Sequence, residues 1–205
     1  VVFAGACSGI YRSFNSGDKW ERLRNGLPSE AKRTRAVLID PHDSNNVYSG
    51  TTEGLYRSRN RGESWQLVVP DVVVNAILVD PGNRQNLLLA TDDLGILKSL
   101  DGGESFRTAN LGFSQRQVAA VSQTSGSQTR YYASITLDGE HGGFFFSDDH
   151  GESWSVYNKG LGDAVSVIRA IVPAETSPWV YLGTPRGIYR GKPRTTPWKR
   201  ISGET

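Results

Sequence analysis

The 205-residue sequence has no methionine, a single cysteine and no long hydrophobic run. One cysteine excludes an internal disulfide framework and a cysteine-based zinc site, and we expect Cys7 to be a small buried side chain. The longest apolar stretches, VVPDVVV and FFF, are far too short to cross a bilayer, and no signal-peptide pattern opens the chain. The sequence therefore predicts no membrane insertion.

An excess of charge of one sign is also absent, because the formal net charge is +2 and the arginines are scattered along the chain. A nucleic-acid partner is therefore not expected. No segment shows helical periodicity over the length that a helix needs. These absences leave a soluble chain dominated by β-structure.

The sequence repeats one pattern five times. An apolar stretch is followed by a glycine turn and a second short β-rich segment, as in NVYSGTTEGLYRS. The five copies close at Ser13, Ser58, Ser99, Ser147 and Gly191, at steps of 45, 41, 48 and 44 residues. A period near 44 residues accommodates four short strands, here called A to D.

Regular short strands at this period predict a β-propeller in which each repeat is one four-stranded antiparallel blade. We expect a single propeller domain with blade units at about 1–30, 31–70, 71–112, 113–162 and 163–205. The first unit lacks its innermost strand, A. About two further blades are therefore expected upstream of Val1 in the parent chain.

The stretch between strands C and D is the most regular part of each repeat. SFNSGDKW, SRNRGESW, SLDGGESF and SDDHGESW share a serine, an Asp or Asn two residues later, a glycine four later and an aromatic seven later. This pattern resembles the Asp-box, or BNR repeat, S-x-D-x-G-x-x-W. Its members are Ser13, Asn15, Gly17 and Trp20; Ser58, Asn60, Gly62 and Trp65; Ser99, Asp101, Gly103 and Phe106; and Ser147, Asp149, Gly151 and Trp154. The fifth copy retains only the spacing and Trp198.

These residue types predict a structural turn. Serine and Asx oxygens accept backbone N–H groups, glycine adopts positive φ, and the aromatic packs against the blade. Two boxes carry Asn15 and Asn60 where the others carry Asp, and an asparagine cannot act as a general base. His150 occupies a position that tolerates any residue type, so we expect an exposed loop side chain. No catalytic residue, metal site or cofactor is predicted.

Loops at the opposite end of the blades are the better place for a binding site, because loops on a rigid scaffold carry most binding residues. The B–C and D–A loops there supply the candidate binding residues. They are Arg35, Glu53, Asp93, Arg116, Asp138, Glu140, His141 and Arg186. The insertion that holds Asp138, Glu140 and His141 is the largest departure from the repeat.

The repeat pattern, with segments such as DPHDSNNVYSGTTEGLYRSRNRGESW, resembles bacterial BNR-repeat propellers related to the photosystem II stability and assembly factor. Sortilin-type receptors, sialidases and xyloglucan hydrolases share the box more distantly. The resemblance implies a seven-bladed, secreted or periplasmic protein that binds other macromolecules, with another protein or a polysaccharide as the partner.

Three functional interpretations follow from the sequence. The first is a non-catalytic interaction scaffold, favoured because the recurrent polar residues serve turns and no nucleophile–base motif occurs. The second is a carbohydrate-active glycoside hydrolase, sialidase-like propeller or carbohydrate-binding module, which would need, for hydrolysis, a facing pair of carboxylates such as Asp93 and Glu140. The third is a calcium-dependent binder, suggested by the acidic B–C loops.

Overall fold

The computed structural model describes residues 1–28, 33–114, 116–124, 129–136 and 142–202. Within these residues the chain forms nineteen β-strands and one short 3₁₀ helix, Gly162–Val167. The strands are arranged in five sheets of sequential antiparallel neighbours, one of three strands and four of four strands. The predicted all-β chain of four-stranded antiparallel blades is confirmed. No helix among the described residues is long and apolar enough to span a membrane.

Each sheet is a simple meander, as the repeat predicts. The strands are β1 Val2–Ala6, β2 Gly9–Ser13 and β3 Glu21–Arg22; β4 Thr34–Ile39, β5 Val47–Thr51, β6 Gly54–Ser58 and β7 Gln66–Pro70; β8 Val74–Val79, β9 Leu87–Thr91, β10 Ile96–Ser99 and β11 Arg107–Thr108; β12 Val118–Gln123, β13 Tyr131–Ile135, β14 Gly143–Ser147 and β15 Ser155–Val156; and β16 Ala170–Pro173, β17 Val180–Thr184, β18 Gly187–Lys192 and β19 Thr196–Arg200. The first sheet has the order β1-β2-β3, and the other four follow the chain in the same way.

The chain divides into two compact units, Val1–Leu89 with Ser99–Phe106 and Ala90–Lys98 with Arg107–Thr205. The first unit contains a core cluster of buried side chains, Ile10, Leu23, Val47, Tyr56 and Trp65. The second unit has its own cluster, Tyr132, Phe144, Phe146, Leu161, Ala164, Ile168, Ile171, Val180, Leu182, Tyr189 and Trp198. Each unit therefore buries its own apolar core, which is the main source of folding free energy.

The two middle strands of the second, third and fourth sheets are buried along their whole length, as in β5 and β6. Strands that are buried on both faces consist of continuous runs of apolar and small residues, as in LLLAT and GFFFS. The last strand of each sheet is more exposed, and in the first, third and fourth sheets it shortens to two residues. The apolar runs found in the sequence are thus the middle strands.

The turns between the second and third strands of a blade are organised by a threonine in three sheets. The Thr51 hydroxyl donates to the Gly54 carbonyl at 2.9 Å and accepts the amide of Glu53. Thr91 and Thr184 donate in the same way to a glycine carbonyl. In the first sheet the corresponding turn contains Cys7, which is exposed; the expectation of a buried cysteine is wrong because the residue lies in this turn rather than in a strand.

Alternation of strand direction places two kinds of loop at the two ends of each sheet. The Asp-box turns and the A–B loops leave one end, here called the box end. The B–C and D–A loops leave the other, here called the opposite end. A backbone hydrogen bond from Asp71 to the Glu53 carbonyl, 3.0 Å long, joins a D–A loop to a B–C loop at the opposite end.

Candidate functional site

The four Asp-box turns share one hydrogen-bonding scheme. The serine hydroxyl donates to the Asx oxygen, and it accepts the amide of the box glycine. The N···O distances for the latter bond are 2.9 Å at Ser13, 2.8 Å at Ser58, 2.8 Å at Ser99 and 2.8 Å at Ser147. The Asx oxygen in turn accepts the amide four residues later, as in Ser153 to Asp149 at 2.9 Å. The polar atoms of the box are therefore used to close the turn.

Asparagine and aspartate close this turn equally well. In the second box the Asn60 amide donates to the Ser64 hydroxyl at 2.9 Å. In the fourth box the direction is reversed, and the Ser153 hydroxyl donates to the Asp149 carboxylate. A hydroxyl can donate or accept, so either residue type satisfies the loop.

The residue before the box glycine, or before Thr195 at that position in the fifth copy, has a left-handed backbone in all five copies. The φ angles are 60° at Ser16, 56° at Arg61, 74° at Gly102, 56° at His150 and 70° at Arg194. The side chain of this residue is exposed in four of the five, and the His150 ring packs edge-on to Tyr131 at 6.1 Å between centroids. The turn requires this backbone conformation, whereas the identity of the side chain varies freely.

The box carboxylates have lowered pKa values. Hydrogen bonds from the Ser105 hydroxyl and amide hold the pKa of Asp101 well below its usual value of 3.8. Burial acts to raise the pKa of Asp149, but hydrogen bonds from Ser147 and Ser153 outweigh it and lower the pKa to about 2. Both groups are therefore firmly ionised at neutral pH, which suits an acceptor in a turn and does not suit a proton donor.

We expect Asp149→Asn to reduce the free energy of unfolding at neutral pH by less than about 1 kcal/mol, because the group is exposed and solvent screens its charge. The folded-state pKa of about 2 lies below the usual 3.8, so the aspartate contributes stability above about pH 4 and loses it as the pH falls towards 2. Denaturant titrations at pH 6 and pH 2.5 should therefore show a smaller acid-induced loss of stability in Asp149→Asn than in the parent chain. An equal loss in both would contradict this role.

Three box tryptophans pack against a glycine-containing loop from the preceding repeat, an arrangement here called the glycine clasp. The amides of Trp65, Trp154 and Trp198 donate to backbone carbonyls of that loop at 3.0, 2.8 and 2.8 Å, and the three side chains are 5 %, 4 % and 3 % exposed. A Cβ added to the loop glycine would lie 1.9 to 2.2 Å from the tryptophan carbonyl oxygen. The three glycines are Gly26, Gly112 and Gly160. Only glycine permits so close an approach of two backbones.

Trp20 corrects the expectation that every box aromatic is packed, because 43 % of its surface is exposed. The physical reason is that the described residues provide no glycine loop of this kind for Trp20. Phe106 is half-buried. The clasp therefore occurs in three of the five copies. It was not predicted, although the sequence after strand D carries a recurring signal, an asparagine followed by glycine one or two residues later, in NGL, NLG and NKG.

A second recurring contact joins strand C of one repeat to the box of the next. The residue before the box serine is a buried cation in the first three repeats, and it pairs with the box glutamate one repeat later. The pairs are Arg12–Glu63 at 3.0 Å, Arg57–Glu104 at 2.9 Å and Lys98–Glu152 at 2.6 Å. The cations are 6 %, 6 % and 2 % exposed, so each pair provides the partner that a buried charge requires.

The fourth repeat has lost this ion pair on both sides. Phe146 stands in place of the buried cation, and Thr196 stands where the following box would carry glutamate. Arg130 and Arg194 instead stack over the Phe146 ring at 5.4 and 4.7 Å. The paired loss indicates that cation and glutamate act as one structural unit, and comparison of the repeats within the sequence was the signal that could have revealed it.

At the opposite end, Arg35 is placed by a β-bulge. The pairing of β4 with β5 shifts register between Thr34 and Ala36, so Arg35 is the extra residue. Bulges redirect side chains, and here the exposed guanidinium donates to the Asn75 side chain. Glu53 is also exposed and lies in the Thr51 turn.

The remaining candidates lie on separate loops. Asp93 and Arg116 are exposed, and Arg186 forms an exposed ion pair with Asp163 at 3.0 Å. Asp138, Glu140 and His141 lie outside the described residues, so their predicted proximity stays a prediction. Among the described residues no group of three His, Cys, Asp or Glu side chains is placed to hold a metal ion.

Residues of the first two sheets and their loops line a small apolar depression of about 30 Å³ at the opposite end of the first unit. By volume it holds about two water molecules. Its lining includes Ile10, Leu23, Leu27, Thr34 and Tyr56, with Arg22 at its edge. The depression is too small for a sugar ring and suits a single small side chain.

Phe113, an aromatic residue between β11 and β12, is used for packing. Phe113 meets Phe145 and Trp154 edge to face, at 5.7 and 6.5 Å between centroids. Its ring therefore belongs to the packing around the fourth box.

Comparison with known proteins places the chain in the class of β-propellers that carry Asp-boxes. Residues 145–156, which contain the fourth box, match the family model described as BNR/Asp-box repeat. No curated protein sequence matches the chain significantly.

Three solved structures illustrate the fold. An ancestral GH74 enzyme has a TM-score of 0.76 and 22% identity, over 97% of this chain and 29% of that chain. A structure of YCF48 bound to D1 peptide has a TM-score of 0.64 and 12% identity, over 97% of this chain and 63% of that one. The extracellular domain of a one-component system from B. thetaiotaomicron has a TM-score of 0.76 and 13% identity, over 98% and 26%. The chain spans less than two thirds of each, and the similarity shows a shared fold.

Proposed function

We propose that this chain is part of a non-catalytic propeller that binds a protein partner through the opposite end of its sheets. The observation that carries the proposal is the shape of that end in the first unit. An apolar depression of about 30 Å³ has Thr34 and Thr51 in its lining, and the exposed residues Arg35 and Glu53 follow these two threonines closely in the chain. An apolar centre with a charged rim is the usual composition of a protein-binding surface.

The chemistry of the carboxylates supports a binding role over hydrolysis. A glycosidase needs one carboxyl group with a raised pKa to act as the acid. Among the residues that the structure describes, which exclude Asp138 and Glu140, four carboxyl groups have shifted pKa values; all four are shifted downward, and all lie at the box end. Asp101 and Asp149 are held by turn hydrogen bonds, Glu104 by hydrogen bonds from Arg57, and Glu152 by Arg107 and Lys98.

The comparisons support the proposal at the level of the fold. YCF48 is seen bound to a peptide, and the B. thetaiotaomicron domain is extracellular. A location outside the cytoplasm, secreted or periplasmic, is part of this proposal. The second candidate is a carbohydrate-active role, favoured by the TM-score of 0.76 to a GH74 enzyme.

A displayed peptide library selected on the immobilised chain tests the first candidate. Peptides that bind the parent chain are then measured against two variants of equal charge change, Arg35→Glu at the opposite end and Lys19→Glu at the box end. We expect Arg35→Glu to weaken peptide binding about tenfold, because it reverses the charge at the edge of the proposed surface. We expect Lys19→Glu to leave peptide binding unchanged. Reducing-sugar release from xyloglucan is measured in parallel.

The outcomes separate the two candidates. Peptide binding that depends on Arg35, without sugar release, supports the scaffold. Sugar release by the chain, or peptide binding that is equally sensitive to both variants, contradicts it. Binding to a polysaccharide array without peptide selection would favour the carbohydrate-binding alternative.

A further inference from the structure

A second cavity, unrelated to the apolar depression, opens at the box end of the first unit. Its volume is about 120 Å³, well above the roughly 10–15 Å³ that one water molecule occupies. The lining is polar, and three of its side chains are arginines, Arg57, Arg59 and Arg84. The sequence analysis assigned only structural turns to this end, so none of these arginines was a predicted site residue.

The wall of the cavity is built from buried polar side chains. Arg57 is 6 % exposed, Asp40 is 7 % and Tyr48 is 3 %. Asp40 accepts the His42 amide at 2.8 Å, and the Arg57 guanidinium donates to the Gly102 carbonyl at 3.2 Å. Burial raises the pKa of Tyr48, so its hydroxyl keeps its proton at neutral pH. These groups are fixed in position before any ligand arrives.

The carboxylates that line the cavity are largely used by the protein itself. Asp101 accepts hydrogen bonds from Ser99, from the Glu104 amide and from the amide and hydroxyl of Ser105. Glu104 accepts both Arg57 and Arg59 on a single oxygen, at 2.9 and 2.5 Å. The three lining carboxylates, Asp40, Asp101 and Glu104, balance the three arginines in formal charge. The carboxylate oxygens that accept no hydrogen bond from the described residues are one on Glu104 and one on Asp40.

The arginines, in contrast, retain donors. A guanidinium carries five N–H groups. Arg57 uses donors in the bonds to Gly102 and Glu104 and in a contact with the Tyr48 hydroxyl, and Arg59 uses one. Arg84 is exposed and forms no hydrogen bond or ion pair with the described part of the chain. Among the described residues the cavity lining therefore keeps more unused N–H donors, on Arg59 and Arg84, than unused carboxylate oxygens, and its complement is a group made of acceptors.

We propose that this cavity binds a tetrahedral oxyanion, a phosphate or sulfate group, with the guanidinium groups of Arg57, Arg59 and Arg84 as the donors. Guanidinium groups bind such oxyanions through paired N–H···O bonds, and a tetrahedral group presents enough oxygens to engage more than one arginine. The site is distinct from the proposed partner surface, so each can be tested without the other.

The test is binding of inorganic phosphate and of sulfate to the intact chain, by calorimetry and by the shift in thermal midpoint, with chloride at matched ionic strength. Arg84→Gln removes one cavity arginine, and Arg24→Gln removes an exposed arginine outside it. We expect both oxyanions to raise the midpoint, and Arg84→Gln to weaken their affinity about tenfold or more, as expected for loss of a hydrogen bond to a charged group. Arg24→Gln and Arg35→Glu should bind as the parent chain does.

Comparing the two anions shows which source the cavity prefers, a phosphorylated or a sulfated group. The proposal is overturned if neither anion exceeds chloride, or if Arg84→Gln and Arg24→Gln bind equally well. It is also overturned if acetate at the same concentration matches phosphate, since a planar monoanion would then suffice. If the parent chain binds phosphate but selects no peptide, the proposed partner surface is contradicted and the oxyanion site is not.

Discussion

Replacing Trp154 by alanine is expected to lower the free energy of unfolding by about 3 to 5 kcal/mol, the usual cost of truncating a buried tryptophan. The side chain is 4 % exposed, and its indole N–H donates to the Ala109 carbonyl at 3.0 Å. Truncation would leave both a cavity and an unpaired buried carbonyl. Denaturant titration monitored by circular dichroism measures the change.

Trp20→Ala is the matched control, because the same residue type occupies the same box position with 43 % of its surface exposed. We expect the free energy of unfolding to change by less than about 1 kcal/mol, as for most exposed substitutions. If Trp20→Ala cost as much as Trp154→Ala, the effect would belong to the box motif itself and not to the glycine clasp.

Gly112→Ala is expected to cost about 3 kcal/mol for two additive reasons. The added Cβ would lie 1.9 Å from the Trp154 carbonyl oxygen, which neither backbone can avoid without moving, and overpacking of this kind costs about 1 to 3 kcal/mol. The φ of +109° adds the strain that an L-residue meets at positive φ, about 1 to 2 kcal/mol. The free energy of unfolding from chemical denaturation reports the sum.

Gly162→Ala separates the two contributions. Gly162 has φ of +51°, and nothing lies within 4 Å of the position of its Cβ. Only backbone strain applies there, so a loss of about 1 kcal/mol is expected. Equal losses at Gly112 and Gly162 would show that the close approach to Trp154 contributes nothing to stability.

Much of the fold was predictable because each repeat carries its own local signals. The middle strands are apolar runs, and the turns contain Gly, Asx and Ser residues with defined backbone preferences. The comparison of Asn60 with Asp149 also predicts that a carboxylate is unnecessary for the turn geometry, and hydrogen bonds of both residues lie within their turns. Five copies in one chain supply an internal control that a single motif lacks.

Other features depend on contacts between repeats, which a pattern within one repeat does not reveal. The ion pair Lys98–Glu152 joins residues 54 positions apart. The backbone amide of Trp154 donates to a loop about 40 residues earlier in the chain. The cavity that contains Arg84 requires loops of two neighbouring repeats. The exposure of Trp20 likewise depends on what packs against it, and not on its own sequence.

The Asp-box therefore describes how a blade is built and leaves function to the loops. The fold is shared by structures of an enzyme and of a peptide-bound protein, so function follows from the side chains at each end. In this chain the opposite end offers a small apolar depression, and the box end offers the arginine cavity.

The most direct test of the structural role of the box is the free energy of unfolding of Asp149→Asn and Trp154→Ala, measured side by side at neutral pH. We predict a loss below about 1 kcal/mol for the first and of about 3 to 5 kcal/mol for the second. The reverse order, a large loss for Asp149→Asn and a small one for Trp154→Ala, would contradict the assignment of FSDDHGESW as a structural turn.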